Sequence, residues 1–349
     1  MIVVIDTYGV SVGKTKNSIR ISQPTPDGTK VHKKVPVLKI DCLVINKGVY
    51  VSFDAAMLLA THGKPIYYTD RGRPVAALTP FYNHGTVITR REQFLAYQDS
   101  RGLFLGKQFV TAALLNKEHL LRSLAKTRQQ TNPALSQTLL LHADTIHHGL
   151  NKLESLTAPT IASARNELMG IEGEATRTYY QALTTLLPPE LGFEGRERRP
   201  PTDPVNAVLS YGYVILASDL TLDLAIAGLE PYAGYLHADR SGRTSLSLDL
   251  AEEFRQPLID RMVLNLFVRY QLTADHFDTE PGSSRTLLNK AGKRVFFEAL
   301  TDRKKKKVID PVTKELVPLG NMLLRQARNI VRYLLGKDAQ YTPYIPAEL

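Results

Sequence analysis

Short runs of β-branched and apolar residues open the chain. Ile2-Val-Val-Ile, Ser18-Ile-Arg-Ile-Ser, Val35-Pro-Val-Leu-Lys-Ile, Cys42-Leu-Val-Ile and Gly48-Val-Tyr-Val-Ser each have the length of a strand. Turn residues such as Pro26-Asp-Gly and Asn46-Lys-Gly separate them. One short helix is expected after Ser52, with Asp54 near its start and Gly63 beyond its end. Pro65-Ile-Tyr-Tyr-Thr and Pro74-Val-Ala-Ala-Leu read as later strands. Beyond residue 89 the apolar spacing lengthens to the helical period. Helical regions are expected at 92–124, with a break near Ser100-Arg-Gly102, then at 136–153, 160–187, 252–270 and 319–336. Asp203-Pro204 is an N-cap and first-turn pair that opens another apolar helix, closed by Gly228. No unbroken apolar run reaches the ~18 residues that would cross a bilayer. The expected fold class is therefore α+β: an N-terminal β-rich domain over residues 1–90, a larger all-α domain over 91–340, and a loosely ordered tail at 341–349.

Composition narrows the function. The chain has 349 residues, is 43% hydrophobic and 22% charged, and carries a formal charge of +10. That is an ordinary globular make-up with a basic surplus, which favours a polyanionic partner. The surplus is concentrated: residues 285–333 hold 13 Lys and Arg against 4 Asp and Glu. The run Lys304, Lys305, Lys306, Lys307 lies in this region and reads as a solvated loop able to contact nucleic acid. The single cysteine, Cys42, forbids an internal disulfide and sits in an apolar run. A reducing cytoplasm is the expected compartment, with no membrane partner.

Chemistry gathers between residues 172 and 255. Glu172 has Leu168, Ala175 and Tyr179 at helical spacing, so its carboxylate falls on an apolar face and needs a cation, a hydrogen-bond set or a proton. A structural ion pair, with Arg177 or with a neighbouring helix, and a functional role each satisfy that need. His237 follows Pro231 and Gly234 and precedes Gly242, a turn that can aim an imidazole. Asp249, Glu252 and Glu253 fall at i, i+3 and i+4 and are expected to share a helix face, where they would also complement the helix dipole. One histidine with two carboxylates suits Mg²⁺ or Mn²⁺, and Arg240 and Arg243 could neutralise a phosphate beside it. The group His142, His147, His148 with Asp144 is a second metal candidate, poorer in carboxylates.

Several motifs in this order resemble the CRISPR-associated integrase/endonuclease family, the larger, catalytic subunit of the spacer-acquisition complex. They are Gly170-Ile-Glu172-Gly173 with Arg177 and Tyr180, Asn206-Ala-Val-Leu-Ser210-Tyr211-Gly-Tyr213, Gly228-Leu-Glu-Pro-Tyr-Ala-Gly-Tyr-Leu-His237, and Gly242-Arg-Thr-Ser-Leu-Ser-Leu-Asp249-Leu-Ala-Glu252-Glu253-Phe-Arg255. Arg90, Arg91, Asp99 and Lys107 match a weaker early pattern. The resemblance implies an N-terminal domain that mediates homodimerisation and a helical catalytic domain. It implies that Glu172, His237 and Glu252 ligate the metal, with a proton-shuttle role open as well for His237, and with Asp249 close to the metal or the DNA and able to stand in Glu252's place. It also implies insertion of short duplex spacers into a CRISPR repeat by phosphodiester transesterification. The implied partners are double-stranded DNA, held by Arg90, Arg91, Lys107, Arg240, Arg243 and Lys304 to Lys307, and a small dimeric protein that bridges two integrase dimers. Two rivals share these residues: a metal-dependent nuclease acting on branched DNA in repair, and a non-catalytic DNA-binding scaffold.

Overall fold

The computed structural model describes residues 1–25, 28–70, 73–80, 86–197 and 200–346. The turn expected at Pro26 and Asp27 and the last three residues lie outside the described residues. The chain divides into two compact units, Met1–Arg91 and Glu92–Leu349.

The first unit is two four-stranded sheets and a helix. Strands β1 (Ile2–Ile5), β2 (Ser11–Thr15), β3 (Ser18–Pro24), β4 (Lys30–Pro36), β5 (Cys42–Asn46), β6 (Tyr50–Val51), β7 (Ile66–Asp70) and β8 (Arg73–Leu78) are arranged as β4-β3-β2-β6 and β1-β5-β7-β8. β1, β5 and β7 run parallel, which buries the continuous apolar run at Cys42 to Ile45 on both faces. The helix α1 (Phe53–Thr61) is capped by the Ser52 side chain, as its sequence signal indicates. β2 was not expected. Its Ser-Val-Gly-Lys-Thr sequence has little strand character, and it forms because a tight turn through Lys16, at φ 52°, folds it onto β3. The strand expected from Val35 instead lies earlier, over Lys30–Pro36. Pro36 cannot donate to a ladder, and Val37–Lys39 makes a single helical turn that buries Val37.

The second unit is mostly helical: α2 (Thr86–Ala96, which begins in the first unit), α3 (Ser100–Lys126), α4 (Pro133–Ser155), α5 (Ile161–Leu186), α6 (Pro204–Ala227), α7 (Ser245–Ala251), α8 (Arg261–Val268), α9 (Lys290–Lys305) and α10 (Leu319–Leu334). The break expected near residue 100 falls at Asp99, whose carboxylate caps α3. α3, α4 and α5 pack on one another, while α6 packs against α7 and α10. One apolar cluster runs through all of them. Two two-stranded hairpins are added to this helical frame: β9 (Phe277–Thr279) with β10 (Thr286–Leu288), and β11 (Lys307–Ile309) with β12 (Leu316–Pro318).

Three local expectations change. The helix expected over 252–270 is interrupted: α7 ends at Ala251, and residues Arg255–Asp260 form a π-helical turn before α8 begins. Pro257, which has no N–H to donate, lies inside that turn. The lysine run is not a loop. Lys304 and Lys305 end α9, Lys306 caps it, and Lys307 opens β11. Finally, α6 is long and apolar enough to cross a bilayer once read as a helix, although polar positions break it as a run. Val205, Leu209, Leu216, Leu220 and Leu224 of α6 are buried in the protein's own core.

Asp219 and Asp223 stand one turn apart on the remaining face of α6, and Lys304 pairs with Asp219 at 2.7 Å. Burial, then the neighbouring Asp219 charge, push the Asp223 carboxyl up to about 7 against the opposing pull of Lys304 and Arg328. A raised folded-state value means that the stabilisation is complete below the ordinary carboxylate range and is lost as pH rises through about 7. Asp223→Asn should therefore raise the melting temperature at pH 8 by on the order of 3–5 °C, with a smaller gain at pH 4. Calorimetry at the two pH values checks this, and an equal gain at both would refute the assignment.

Candidate metal and DNA site

Glu172 lies on α5 among the buried residues Leu168, Ala175 and Tyr179, on the apolar face that its spacing predicts. Of the two structural partners expected, Arg177 or a neighbouring helix, the structure shows the second. Lys117 of α3 reaches it at 3.0 Å, and the Thr176 hydroxyl donates to the same oxygen at 2.5 Å. Burial pushes the Glu172 carboxyl up, but Lys117, Arg255 and Thr176 outweigh burial and hold it at about 2.

Glu252 sits just past the end of α7 and is buried. Its Oε1 pairs with Arg255 at 2.6 Å, and its Oε2 has no hydrogen-bond partner. Burial raises its proton affinity; Arg255 opposes this and Glu172 adds to it, with smaller contributions from Lys117 and His237. Glu172, Lys117, Arg255, His237 and Glu252 therefore share one field. The two carboxylates are driven apart in proton affinity, which is the usual sign of like charges in one pocket.

His237 is placed by backbone rather than by its own helix. Asp249, in α7, accepts the N–H groups of Tyr235 (2.6 Å), Leu236 (3.0 Å) and His237 (2.8 Å). It also holds the imidazole Nδ1 at 2.8 Å. Both carboxylate oxygens are spent in this way, so Asp249 is a positioning residue: it fixes the ring through Nδ1 and leaves Nε2 outside that bond. The close approach needs Gly234, since a Cβ there would stand 2.7 Å from that of Ser245 and 3.0 Å from Asp249 Oδ2. The same loop is braced from α2 and α5. Gln93 bonds the carbonyls of Glu230 and Ala233, and Arg165 bonds that of Tyr235.

The three acidic residues expected on one face thus point in three directions. Asp249 holds the histidine loop and Glu252 faces Arg255. Glu253 turns away to accept from Tyr341, Gln326 and the Tyr344 N–H. The end of α7 between them and the π turn that follows account for the divergence.

No three His, Cys, Asp or Glu side chains among the described residues stand in a ready-made metal-binding cluster. Lys117 and Arg255 are bonded to the carboxylates in this arrangement. The donor set nonetheless fits a hard divalent ion: two carboxylates, one of them with a buried unpartnered oxygen, and an imidazole whose second nitrogen is fixed. Among the described residues, every buried side-chain polar atom without a partner belongs to this neighbourhood: Asn116, Glu252, Arg255 and Gln256. A cavity of ≈ 270 Å³ opens beside it, lined by Lys117, Thr176, Tyr213, Arg196, Arg255 and others. In the second metal candidate, His147 bonds Glu118, which also takes Arg122, and Arg122 takes Asp144.

The basic residues divide by what they touch. Arg90, Arg91, Arg240, Lys305, Lys306 and Lys307 are exposed, and Arg243 is half-buried. Lys107 donates to the Leu156 carbonyl at 3.0 Å, tying α3 to the end of α4, and Lys304 is engaged with Asp219. Sequence reasoning missed Lys117, although its place on the apolar stripe with Val110, Ala113, Leu114 and Leu121 marks a lysine that must have a partner. Arg255 was visible in the motif without a role.

The family profile described as "CRISPR associated protein Cas1" matches residues 3–302. The chain belongs to the Cas1 family. A relative from Archaeoglobus fulgidus, named CRISPR-associated endonuclease Cas1 1, is 34% identical over 97% of each chain. The fold is shared with a casposase bound to an integration product, at a TM-score of 0.74, 20% identity and 98% coverage of both chains. It is shared as well with a chain of a partial Cas6-RT-Cas1–Cas2 complex, at a TM-score of 0.74 and 21% identity, over 100% of this chain and 99% of that one. Within a Cas1 chain the three-way division of labour among Asp249, Glu252 and Glu253 is a matter of stability as well as of the site. Removing Asp249 strands three backbone donors, so Asp249→Ala should cost roughly 2–4 kcal/mol. His237→Ala should cost under about 1 kcal/mol. Urea unfolding of the two variants measures this, and equal midpoints would show that Asp249 does not clamp the loop.

Proposed function

We propose that this Cas1 protein is a metal-dependent DNA endonuclease and integrase that joins short duplexes to a CRISPR repeat by phosphodiester transesterification. The observation that carries the reading is the pairing of Glu172 and Glu252 in one buried field beside a clamped His237, with an unpartnered carboxylate oxygen between cationic side chains.

Glu172, Glu252 and Nε2 of His237 would hold Mg²⁺ or Mn²⁺. When bound, such an ion polarises a phosphoryl oxygen and stabilises the leaving 3′-oxygen. The chain's own residues do the rest. Asp249 keeps the imidazole proton on Nδ1, so Nε2 is presented as a lone pair. Lys117 and Arg255 stand at the carboxylates with ammonium and guanidinium donors that suit the equatorial oxygens of a transferring phosphoryl group. The low-dielectric setting strengthens them. With a 3′-hydroxyl as the attacking group the product is a joined strand, and with water it is a cut one. The endonuclease name of the Archaeoglobus relative and the integration product held by the casposase support these two outcomes. The complex with Cas2 around a related fold supports a protein partner of that kind, which on this reading is a small dimer bridging two homodimers. The N-terminal β-rich unit would supply the homodimer contact.

The test is Mn²⁺-dependent processing of a branched, repeat-containing duplex. Wild type should cut and join, while Glu172→Gln and His237→Ala should lose about 100-fold or more in rate, and EDTA should abolish both products. Cutting of branched DNA with no dependence on the repeat would favour the repair nuclease. DNA binding with no Mn²⁺-dependent chemistry would favour the scaffold.

DNA affinity gives an independent check. Replacing Lys305, Lys306 and Lys307 with Ala should lower the slope of log K against log salt by about 2–3. Lys107→Ala should leave that slope unchanged, because its ammonium is bonded to a backbone carbonyl. A salt titration in EDTA reads both, and the reverse pattern would relocate the DNA path.

A further inference from the structure

The end of the chain runs into the catalytic unit. Tyr341 and Tyr344 are each 2% exposed. The Tyr344 ring stacks on Phe254 with centroids 5.4 Å apart, and Tyr341 meets Phe109 edge-on at 6.1 Å. The Pro346 carbonyl accepts from the His119 ring at 2.9 Å. The segment expected to be loose is therefore packed between α3 and the residues that follow α7.

Its polar contacts converge on two positions. Glu253 accepts from the Tyr341 hydroxyl, from Gln326 Nε2 at 2.8 Å and from the Tyr344 N–H at 2.8 Å. Gln326 also donates to the Thr342 carbonyl at 3.0 Å, so α10 holds the segment as well as the carboxylate. Asn116 Nδ2 donates to the Glu253 carbonyl at 2.9 Å and to the Tyr344 carbonyl at 3.2 Å. Each of these positions lies next in sequence to a residue of the site: Asn116 precedes Lys117, and Glu253 follows Glu252. Lys117 and Glu252 come from opposite walls, one from α3 and one from the end of α7.

We propose that residues 341–346 form a positioning strap for the metal site, with Tyr341, Gln326 and Asn116 as its positioning residues. The strap fixes the backbone of Glu252 against that of Lys117, and it occupies Glu253 so that this carboxylate stays out of the site. A supporting shell of this kind sets how well the donor atoms are preorganised for an ion. The proposal rests on the reading that Glu172, His237 and Glu252 hold the metal.

The experiment measures Mn²⁺ binding to the full chain by electron paramagnetic resonance, with no DNA present. Tyr341→Phe keeps the ring and removes the hydroxyl, and Asn116→Ala cuts the cross-wall bond. Each should weaken Mn²⁺ binding about tenfold. DNA binding in EDTA should stay at the wild-type level, and activity should return at raised Mn²⁺. Leu139→Ala, in the buried α3–α4–α5 layer away from the strap, controls for general loosening and should keep wild-type Mn²⁺ affinity despite a lower melting temperature. Wild-type affinity in both strap variants would overturn the proposal, and so would an equal loss in Leu139→Ala. Glu172→Gln separates the two readings. If wild type binds Mn²⁺ and Glu172→Gln does not, unchanged strap variants sink the strap alone. If wild type binds no Mn²⁺, or Glu172→Gln binds it as well as wild type, both readings fall.

Discussion

Two carboxylates buried in one field set the terms for the helical unit. Glu172 and Glu252 could not both be charged in an apolar setting without cations, and the fold brings Lys117 from α3 and Arg255 from the π turn to meet them. A buried ion pair is poor evidence of stability, because desolvation offsets most of its Coulomb energy. Two acidic and two basic side chains buried together at such cost are better explained by a site than by a scaffold. On the reading proposed above, a phosphodiester and a divalent ion are the charged species they would meet.

The positioning of His237 obeys a different logic. The turn can aim an imidazole, but its own residues do not hold the ring. Asp249 does so by collecting three successive N–H groups and the ring itself, a nest closed around one carboxylate. Gln93 and Arg165 then tie the turn to two more helices. The histidine is thus held from three helices although it stands in a loop.

Much of this was legible in the sequence. The capped helices, most of the short β-runs and the apolar-face position of Glu172 follow from local signals, and the motif order carried the family; the parallel pairing of β1, β5 and β7 did not show there. What could not be read was long-range or irregular. Lys117 lies 55 residues from Glu172, and no spacing rule pairs them. Asp249, Glu252 and Glu253 have helical spacing, and only the break after Ala251 sends them to different partners. The tail is rich in Tyr and Pro and has no periodicity, so its burial was invisible until Glu253 was seen to need donors.

The π turn at Arg255–Asp260 has a consequence for how this region tolerates length changes. A π turn carries one residue more than the α-helix it interrupts, and each residue turns a helix by about 100°. Deleting one residue there would regularise the backbone and could leave the fold standing. It would also rotate Glu252 and Arg255 together about the axis relative to the packed face of α8, Met262 to Phe267, and so turn the pair as a unit away from Lys117 and Glu172. Single-residue gaps at this point would thus separate chains that fold alike by whether their two buried acids still share one field.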